Sequence, residues 1–446
     1  MDAKESPREL LKKLYYNTIV ELRPGPAVSR ALDRFSASDV IEARVHVLAI
    51  GKAAMPMARA AVAWCSARHV VIAGGIAVSH EGDAHAIGQL ALHIGDHPVP
   101  GARSRSAAAT IAGYIETGVS AGDHVIVLLS GGASALIGAP RSGIDPAPYS
   151  ACAAALLGAG LTITDMNALR RTLSRWGGGR LGDALLARGA RVNVLVISDV
   201  MGDNLAAIGS GPCVPDRSDR KAIESVLTRA HVAAEIRASL REMLAAALAD
   251  DAIHNLSDDT AIPHQIISNN HQARATVLQL ARDAGAMAMH GSEPLLGDAH
   301  ACGATIVREL VMLRKRSPEI REPLIVCWGG EPTIALPPDN PPAGGRMQAL
   351  ALSAAQWLHS SGSASTGITI LAAGTDGRDG TTDAAGAIVD RGTWRAIAAT
   401  GRDPARDLTE FRSHEALKAV DALIPSFASG TNVNDLVIAL IAPIGR

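Results

Sequence analysis

The chain is 446 residues long, with 48% hydrophobic, 19% charged and only 3% aromatic residues and a formal net charge of -2. Such a length suggests two or three domains with aliphatic, alanine-rich cores, and near-neutrality removes the electrostatic footprint that nucleic acid or an anionic membrane would need. Five scattered cysteines without CxxC spacing (Cys65, Cys152, Cys213, Cys302, Cys327) read as reduced core residues, not as a disulfide framework or a metal site.

The first segment, residues 1–16, carries Asp2, Lys4, Glu5, Arg8 and Glu9 and reads as an ordinary surface helix without the apolar core of a signal peptide. No uncharged run reaches membrane-span length, and residues 151–163 suit a buried helix, so a cytoplasmic location is expected. Lysine is scarce, occurring only at positions 4, 12, 13, 52, 221, 315 and 418. Lys52 is the one inside a glycine motif. Residues 45–50 read as a strand ending in Gly51-Lys52, which opens a helix. Unpaired amides and the dipole make such a helix start suited to anions. The loop is neither GxGxxG nor GxxxxGK[ST], so it licenses neither a dinucleotide fingerprint nor a Walker loop.

A second strand at 70–74 leads to Ser79, His80, Glu81, Asp83 and His85, read as a solvated loop in preference to a metal cluster. His97, in the turn 95–101, is expected to be structural. The next strand, 123–129, runs into Ser130-Gly131-Gly132-Ala133-Ser134, a cradle of amides and hydroxyls suited to phosphate or carboxylate oxygens. On the following helix Asn167 shares a face with Arg170 and Arg171, and Arg170 could either clamp a carboxylate or pair with an acidic neighbour. A strand at 192–197 ends at Asp199, where open α/β sheets place working carboxylates, and Gly209-Ser210-Gly211 follows. Four strand-then-loop units argue for a doubly wound parallel sheet.

Residues 218–249 read as helical and 250–265 as a polar connector. A second α/β region is expected from residue 265, with a strand at 323–328 ending in Gly329-Gly330-Glu331 and a helix opening at Arg346 after two glycines. The strand from Ile368 breaks into Gly374-Thr375-Asp376-Gly377-Arg378-Asp379-Gly380-Thr381-Thr382-Asp383. Asp376, Asp379 and Asp383 bring three carboxylates suited to a hard cation; the plainer reading is a capped turn into a helix starting near Thr382. The chain closes with Asn432, Asn434 and Asp435 before a last apolar run.

Ala49-Ile50-Gly51-Lys52-Ala53-Ala54, His97-Pro98-Val99-Pro100, Leu129-Ser130-Gly131-Gly132-Ala133-Ser134, Gly178-Gly179-Arg180-Leu181, Ser198-Asp199-Val200, Ser210-Gly211-Pro212, Gly329-Gly330-Glu331, Gly344-Gly345-Arg346, the Gly374 to Gly386 stretch and Gly430-Thr431-Asn432-Val433-Asn434-Asp435 together resemble the class II glycerate kinases, whose C-terminal part is the MOFRL domain. The resemblance runs in order over nearly the whole chain. It implies a glycerate 2-kinase: a cytoplasmic enzyme that phosphorylates D-glycerate from ATP with Mg2+. A second copy, in a homodimer, is the one macromolecular partner considered. The resemblance further implies an N-terminal Rossmann-like domain (1–250), a smaller C-terminal α/β domain (265–446, with the MOFRL region near 323–440) and an active site in the cleft between them. By position, the resemblance places the catalytic pair on Lys52 and Arg346. ATP or substrate contacts are expected at Gly51, Ser130, Gly131, Gly132, Ser134, Asn167, Arg170, Gly211, Glu331, Gly374, Thr375, Asp379, Asp383, Asn432 and Asn434, with Asp199 and Asp376 as candidates for holding the metal or for taking the substrate hydroxyl proton. Met347, Pro332 and Thr381 depart from the family pattern. The rival readings are a nicotinamide-dependent hydroxypyruvate reductase and a non-catalytic sensor of phosphates or sugar acids.

Overall fold

The computed structural model describes residues 6–34, 44–80, 87–216, 220–250, 262–316, 320–336 and 342–443. Of the expected loop after Ser79, Glu81, Asp83 and His85 lie outside these residues, as do residues 251–261 of the expected connector. The chain divides into two compact units, Pro24–Ile267 and Met1–Arg23 with Ser268–Arg446. The first helix, α1 (Pro7–Glu21), therefore belongs with the C-terminal unit, where the expected boundaries had put it in the N-terminal domain. Its start is set by Ser6, whose hydroxyl accepts from the Glu9 amide, and by Pro7 at the first helical position. Leu10, Leu11, Leu14, Tyr15, Thr18 and Ile19 recur at helical spacing and are buried, so this is a packed helix, not the surface helix expected.

In the unit Pro24–Ile267 the elements run α2 (Pro24–Leu32), β1 (Val45–Ile50), α3 (Ala54–Ala67), β2 (Ile72–Ser79), β3 (Leu90–Ile94), α4 (Ala102–Gly118), β4 (His124–Leu129), α5 (Ala133–Leu136), α6 (Pro146–Leu157), α7 (Ile163–Leu173), α8 (Arg180–Ala187), β5 (Arg191–Ile197), α9 (Arg220–Arg229), α10 (Ala234–Asp250) and β6 (His264–Ser268). Every residue of β1 and β4 is buried, as befits central parallel strands covered on both faces. The six strands lie in the order β3-β2-β1-β4-β5-β6, and the pairings among the first five are parallel. That is the Rossmann order, whose direction of winding reverses between β1 and β4; loops leaving those two strands diverge and open a crevice at their carboxyl ends. One expectation changes here. Residues 264–268 close this first sheet, with the Val194 amide donating to the Pro263 carbonyl, and do not start a second one. The helical stretch before them is α9 and α10, packed on α6 and α7 through Tyr149, Leu156, Leu169, Val226 and Leu240.

The second unit adds α11 (Asn270–Asp283), β7 (Met287–His290), α12 (Ala299–Arg316), β8 (Leu324–Gly330), α13 (Arg346–Ser360), β9 (Ile368–Gly374), β10 (Ala384–Asp390), α14 (Thr393–Ala399), α15 (Pro404–Thr409), α16 (Ser413–Lys418), β11 (Leu423–Pro425) and β12 (Asp435–Ile441). Its sheet runs β11-β10-β9-β12-β8-β7 and is mixed: β12 lies antiparallel between β8 and β9, while β7 and β8 are parallel. The helix expected near Thr382 is instead the strand β10, antiparallel to β9 from Gly386↔Ala373 to Asp390↔Thr369. Glycine, threonine and aspartate in that stretch build a hairpin connection, and the run Ala384–Val389 supplies a wholly buried strand that α13 covers.

Candidate active site

In the Pro24–Ile267 unit the expected residues gather at the switch point. Gly51 and Lys52 leave β1, Ser130 to Gly132 leave β4, and the two loops are stitched together: the Lys52 amide donates to the Gly131 carbonyl at 2.9 Å and the Ala53 amide to the Ser130 hydroxyl at 3.0 Å. The approach is so close that a Cβ on Gly51 would stand 2.1 Å from Ser130 Oγ, and one on Gly131 1.8 Å from a carboxylate oxygen of Asp199. Asp199, just beyond β5, thus lies against the Gly131 backbone. Ser134 shares a hydrogen bond of 2.8 Å with Ser210, and Gly211 turns back in the left-handed region at φ 57°. Both cradle serines thereby hold contacts within the protein, Ser130 as an acceptor and Ser134 with Ser210.

The cations converge. Gly132's open face is bounded by the His97 ring, whose Nε2 lies 3.3 Å from where a Cβ would be, and by Lys52 Cγ, also at 3.3 Å. The rings of His80 and His97 are 6.2 Å apart. Partial burial, then Lys52, His80 and Arg170, push the His97 imidazole down to about 4. Burial likewise lowers the Arg170 guanidinium. Asn167 is buried on the same helix, α7. Two cations, Lys52 and Arg170, gathered around a glycine turn make a site for an anion. A cavity of about 540 Å³ elsewhere in this unit, beside Arg141, Arg175 and Trp176, is lined by none of the candidate residues.

In the second unit the antiparallel register does the positioning. Asp435, the first residue of β12, pairs with Gly330 on one side and Gly374 on the other. Its carboxylate meets Arg346, the first residue of α13, with Nε to Oδ2 at 2.6 Å, and Arg346 Nη1 donates to Glu331 at 2.9 Å. Burial pushes the Asp435 carboxyl up to about 8 against the pull of Arg346. Burial also works against the Arg346 charge, but Asp435 and Glu331 outweigh it and raise its pKa. Arg346 Nη2 also donates to Asp435 Oδ1 at 3.3 Å, so these contacts take three of the five N–H donors of the guanidinium.

Of the remaining expected residues, several hold the frame. Asp379 is buried and accepts from the amides of Met347 (3.0 Å) and Gln348 (2.8 Å), which caps α13. Thr375 donates to the Asn434 carbonyl and accepts from the Val433 amide. Asp383 is an exposed partner of His414 and Lys418. The three aspartates of the hairpin therefore do not converge: Asp376 accepts from its own loop at the Arg378 amide. Asn432 caps the Asn434 amide, whereas Asn434 is buried in the left-handed region with Nδ2 lacking a partner, the kind of orphaned donor that a ligand satisfies. Gly374 is buried in β9 and its carbonyl accepts from the Tyr15 hydroxyl at 2.6 Å. Sequence reasoning passed over Asp435, Tyr15 and His97 as site residues. A single acid opening an all-apolar strand was the available signal for Asp435; nothing local marks Tyr15.

Among the described residues no group of three or more His, Cys, Asp or Glu could cage a metal ion. Magnesium in phosphate sites takes only one or two carboxylates and keeps the phosphates and water as its other ligands, so single carboxylates such as Asp199 remain compatible with it.

A model described as a domain of unknown function (DUF4147) matches residues 10–245, and the MOFRL family model matches 324–435. A D-glycerate 2-kinase of Thermotoga maritima is 31% identical over 98% of this chain and 99% of its own. The chain belongs to the MOFRL-type glycerate kinase family. It is a kinase. A crystal structure of a Thermotoga maritima glycerate kinase superposes with a TM-score of 0.83 at 30% identity, over 98% of this chain and 99% of that one. A Pyrococcus horikoshii glycerate 2-kinase is 31% identical over 90% of this chain and 88% of its own length. One Agrobacterium vitis relative, 33% identical over 89% of this chain and 99% of its own, is provisionally named a hydroxypyruvate reductase. Among the described residues no helix is long and apolar enough to cross a membrane.

Proposed function

We propose that the chain transfers the γ-phosphoryl group of ATP to the 2-hydroxyl of D-glycerate. The observation that carries the reading is Lys52 at the switch point of a 3-2-1-4-5-6 sheet, over a glycine turn and beside His97 and Arg170. Phosphoryl transfer asks little covalent chemistry of a protein; it asks for cations where charge spreads in the transition state. Lys52, a mobile point charge, suits the transferring group, while Arg346, fixed by Asp435 and Glu331, suits a carboxylate through its remaining donors. Magnesium arriving on the nucleotide would be held by Asp199, beside Gly131, or by Asp376, and would supply neutralising charge.

Two measurements test this. ATP consumption with D-glycerate, coupled to enolase alone, should give signal; signal only after adding phosphoglycerate mutase would mean transfer to the 3-hydroxyl. Lys52→Ala and Arg346→Ala should each lower kcat/KM by about 10²-fold or more, as losing a transition-state charge does, with unchanged circular dichroism. Activity near the parent level in either variant removes that residue from the mechanism. The reductase reading has a direct check in NADH or NADPH oxidation with hydroxypyruvate; against it stands the Gly51-Lys52-Ala53 turn, which lacks the glycine spacing that lets a dinucleotide pyrophosphate approach.

A further inference from the structure

His97 stands where a substrate-contacting group would be, although the turn around it looks purely structural in sequence. Its ring edge lies 3.2 Å from where a Cβ on Gly132 would stand, with the Lys52 stem at 3.3 Å from the same point, and the residue is partly buried. The turn that carries it is held from below: the Asp96 carboxylate accepts from the backbone amides of Arg103 and Ser104 and pairs with the Arg103 side chain, so Asp96 is spent away from the ring. Among the described residues, what faces the imidazole from other elements is cationic or basic: Lys52 from the β1–α3 turn, His80 from the end of β2 and Arg170 from α7. Partial burial first, and then the charges of that company, keep the imidazole neutral while the site is empty, and a neutral imidazole has a lone pair to offer. An anion entering among the same cations cancels their field and makes the ring more basic.

We propose that His97 is the proton acceptor of the reaction and that it becomes one only when an anionic substrate occupies the Lys52, His80 and Arg170 cluster. This rests on the kinase reading. In the step, the acceptor hydroxyl oxygen forms its bond to the γ-phosphorus while the bond from that phosphorus to the β,γ-bridging oxygen breaks. The nucleoside diphosphate leaves with that electron pair, and the hydroxyl proton passes to the free ring nitrogen of His97. The proton returns to solvent once the product anion departs and the cations again oppose it. The device ties basicity to occupancy: an empty site holds no competent base and so gives water no help in attacking the nucleotide.

The test is a histidine-resolved NMR titration of the whole protein, alone, with D-glycerate and, separately, with inorganic phosphate. The His97 midpoint should start near 4 and climb by about one or more pH units with either anion. In the free protein, Lys52→Met should raise it as well, because a positive neighbour is gone. His97→Gln should lower kcat by about 10²-fold with KM within about threefold, and should abolish the acid limb of the kcat profile. A midpoint unmoved by both anions, or a His97→Gln enzyme within threefold of the parent kcat, overturns the proposal. Absence of ATP turnover in the unmodified enzyme is a different failure, that of the kinase reading, and takes the proton-transfer step with it.

Discussion

The contact between Arg346 and Asp435 sets the chemistry of the C-terminal unit at the level of single residues. A buried acid beside a guanidinium is subject to two opposed effects: loss of hydration favours the protonated acid and the neighbouring charge favours the carboxylate. At Asp435 burial is the larger, and the carboxyl moves up to about 8 from an ordinary aspartate value. The sign for stability follows. A group with a raised folded pKa holds extra protons in the native state between the two values, so its contribution is full below the unfolded pKa and is lost as pH rises towards 8. Between pH 5 and 9 the parent should therefore lose more thermal stability than Asp435→Asn, measured as the difference between the two Tm profiles; parallel profiles would refute this. The Gly131 contact with Asp199 belongs to the same scale, since one methyl group there would have to displace a carboxylate.

At the scale of elements, α13 shows how a hairpin loop serves a helix far from it in sequence. The helix begins with Gly345 at its N-cap position and has no side-chain cap of its own. Asp379 supplies the missing acceptor from the β9–β10 connection, and Gln348 Nε2 donates to the same carboxylate at 2.9 Å. Gly345 is demanded by this arrangement, because a Cβ there would lie 2.2 Å from the Asp379 side chain. Asp379→Ala would leave the Met347 and Gln348 amides unpaired at the base of Arg346. Losing such a cap should cost about 1–2 kcal/mol, seen in chemical denaturation, and should lower kcat through misplacement of Arg346; a loss under about 0.3 kcal/mol would show that water replaces the cap. The aspartates that read as a cation site in sequence thus divide their work, with Asp379 turned inward and Asp383 paired on the surface.

For the whole molecule, the first helix is the informative case. Leu10, Leu11 and Leu14 are buried, Arg8 pairs with Asp390 at 2.9 Å, and the Tyr15 ring packs edge-on to Phe427 at 6.1 Å, all within the unit that contains Ser268–Arg446. Leu11→Ala, a large-to-small change at a fully buried position, should cost about 2–5 kcal/mol. Hydrogen exchange should show the loss of protection in residues 268–443 and not in 44–216, although the substitution is near the N-terminus; the reverse distribution would contradict the assignment. Local sequence determined much else. Buried parallel strands announce themselves as continuous aliphatic runs such as Val45–Ile50 and His124–Leu129, and the glycine turns that follow them mark where a ligand can approach backbone. Lys52 and Arg346 stand out in sequence because each follows glycine at or just before the start of a helix, a local property. Strand partners, by contrast, are chosen by long-range pairing. Residues 264–268 join the first sheet, Ala384–Asp390 becomes a strand and not a helix, and Asp435 comes to lie between Gly330 and Gly374 only because β12 inserts antiparallel between β8 and β9. The field at His97 has the same origin: its charged neighbours come from β1, β2 and α7, and no spacing along the chain records that they meet.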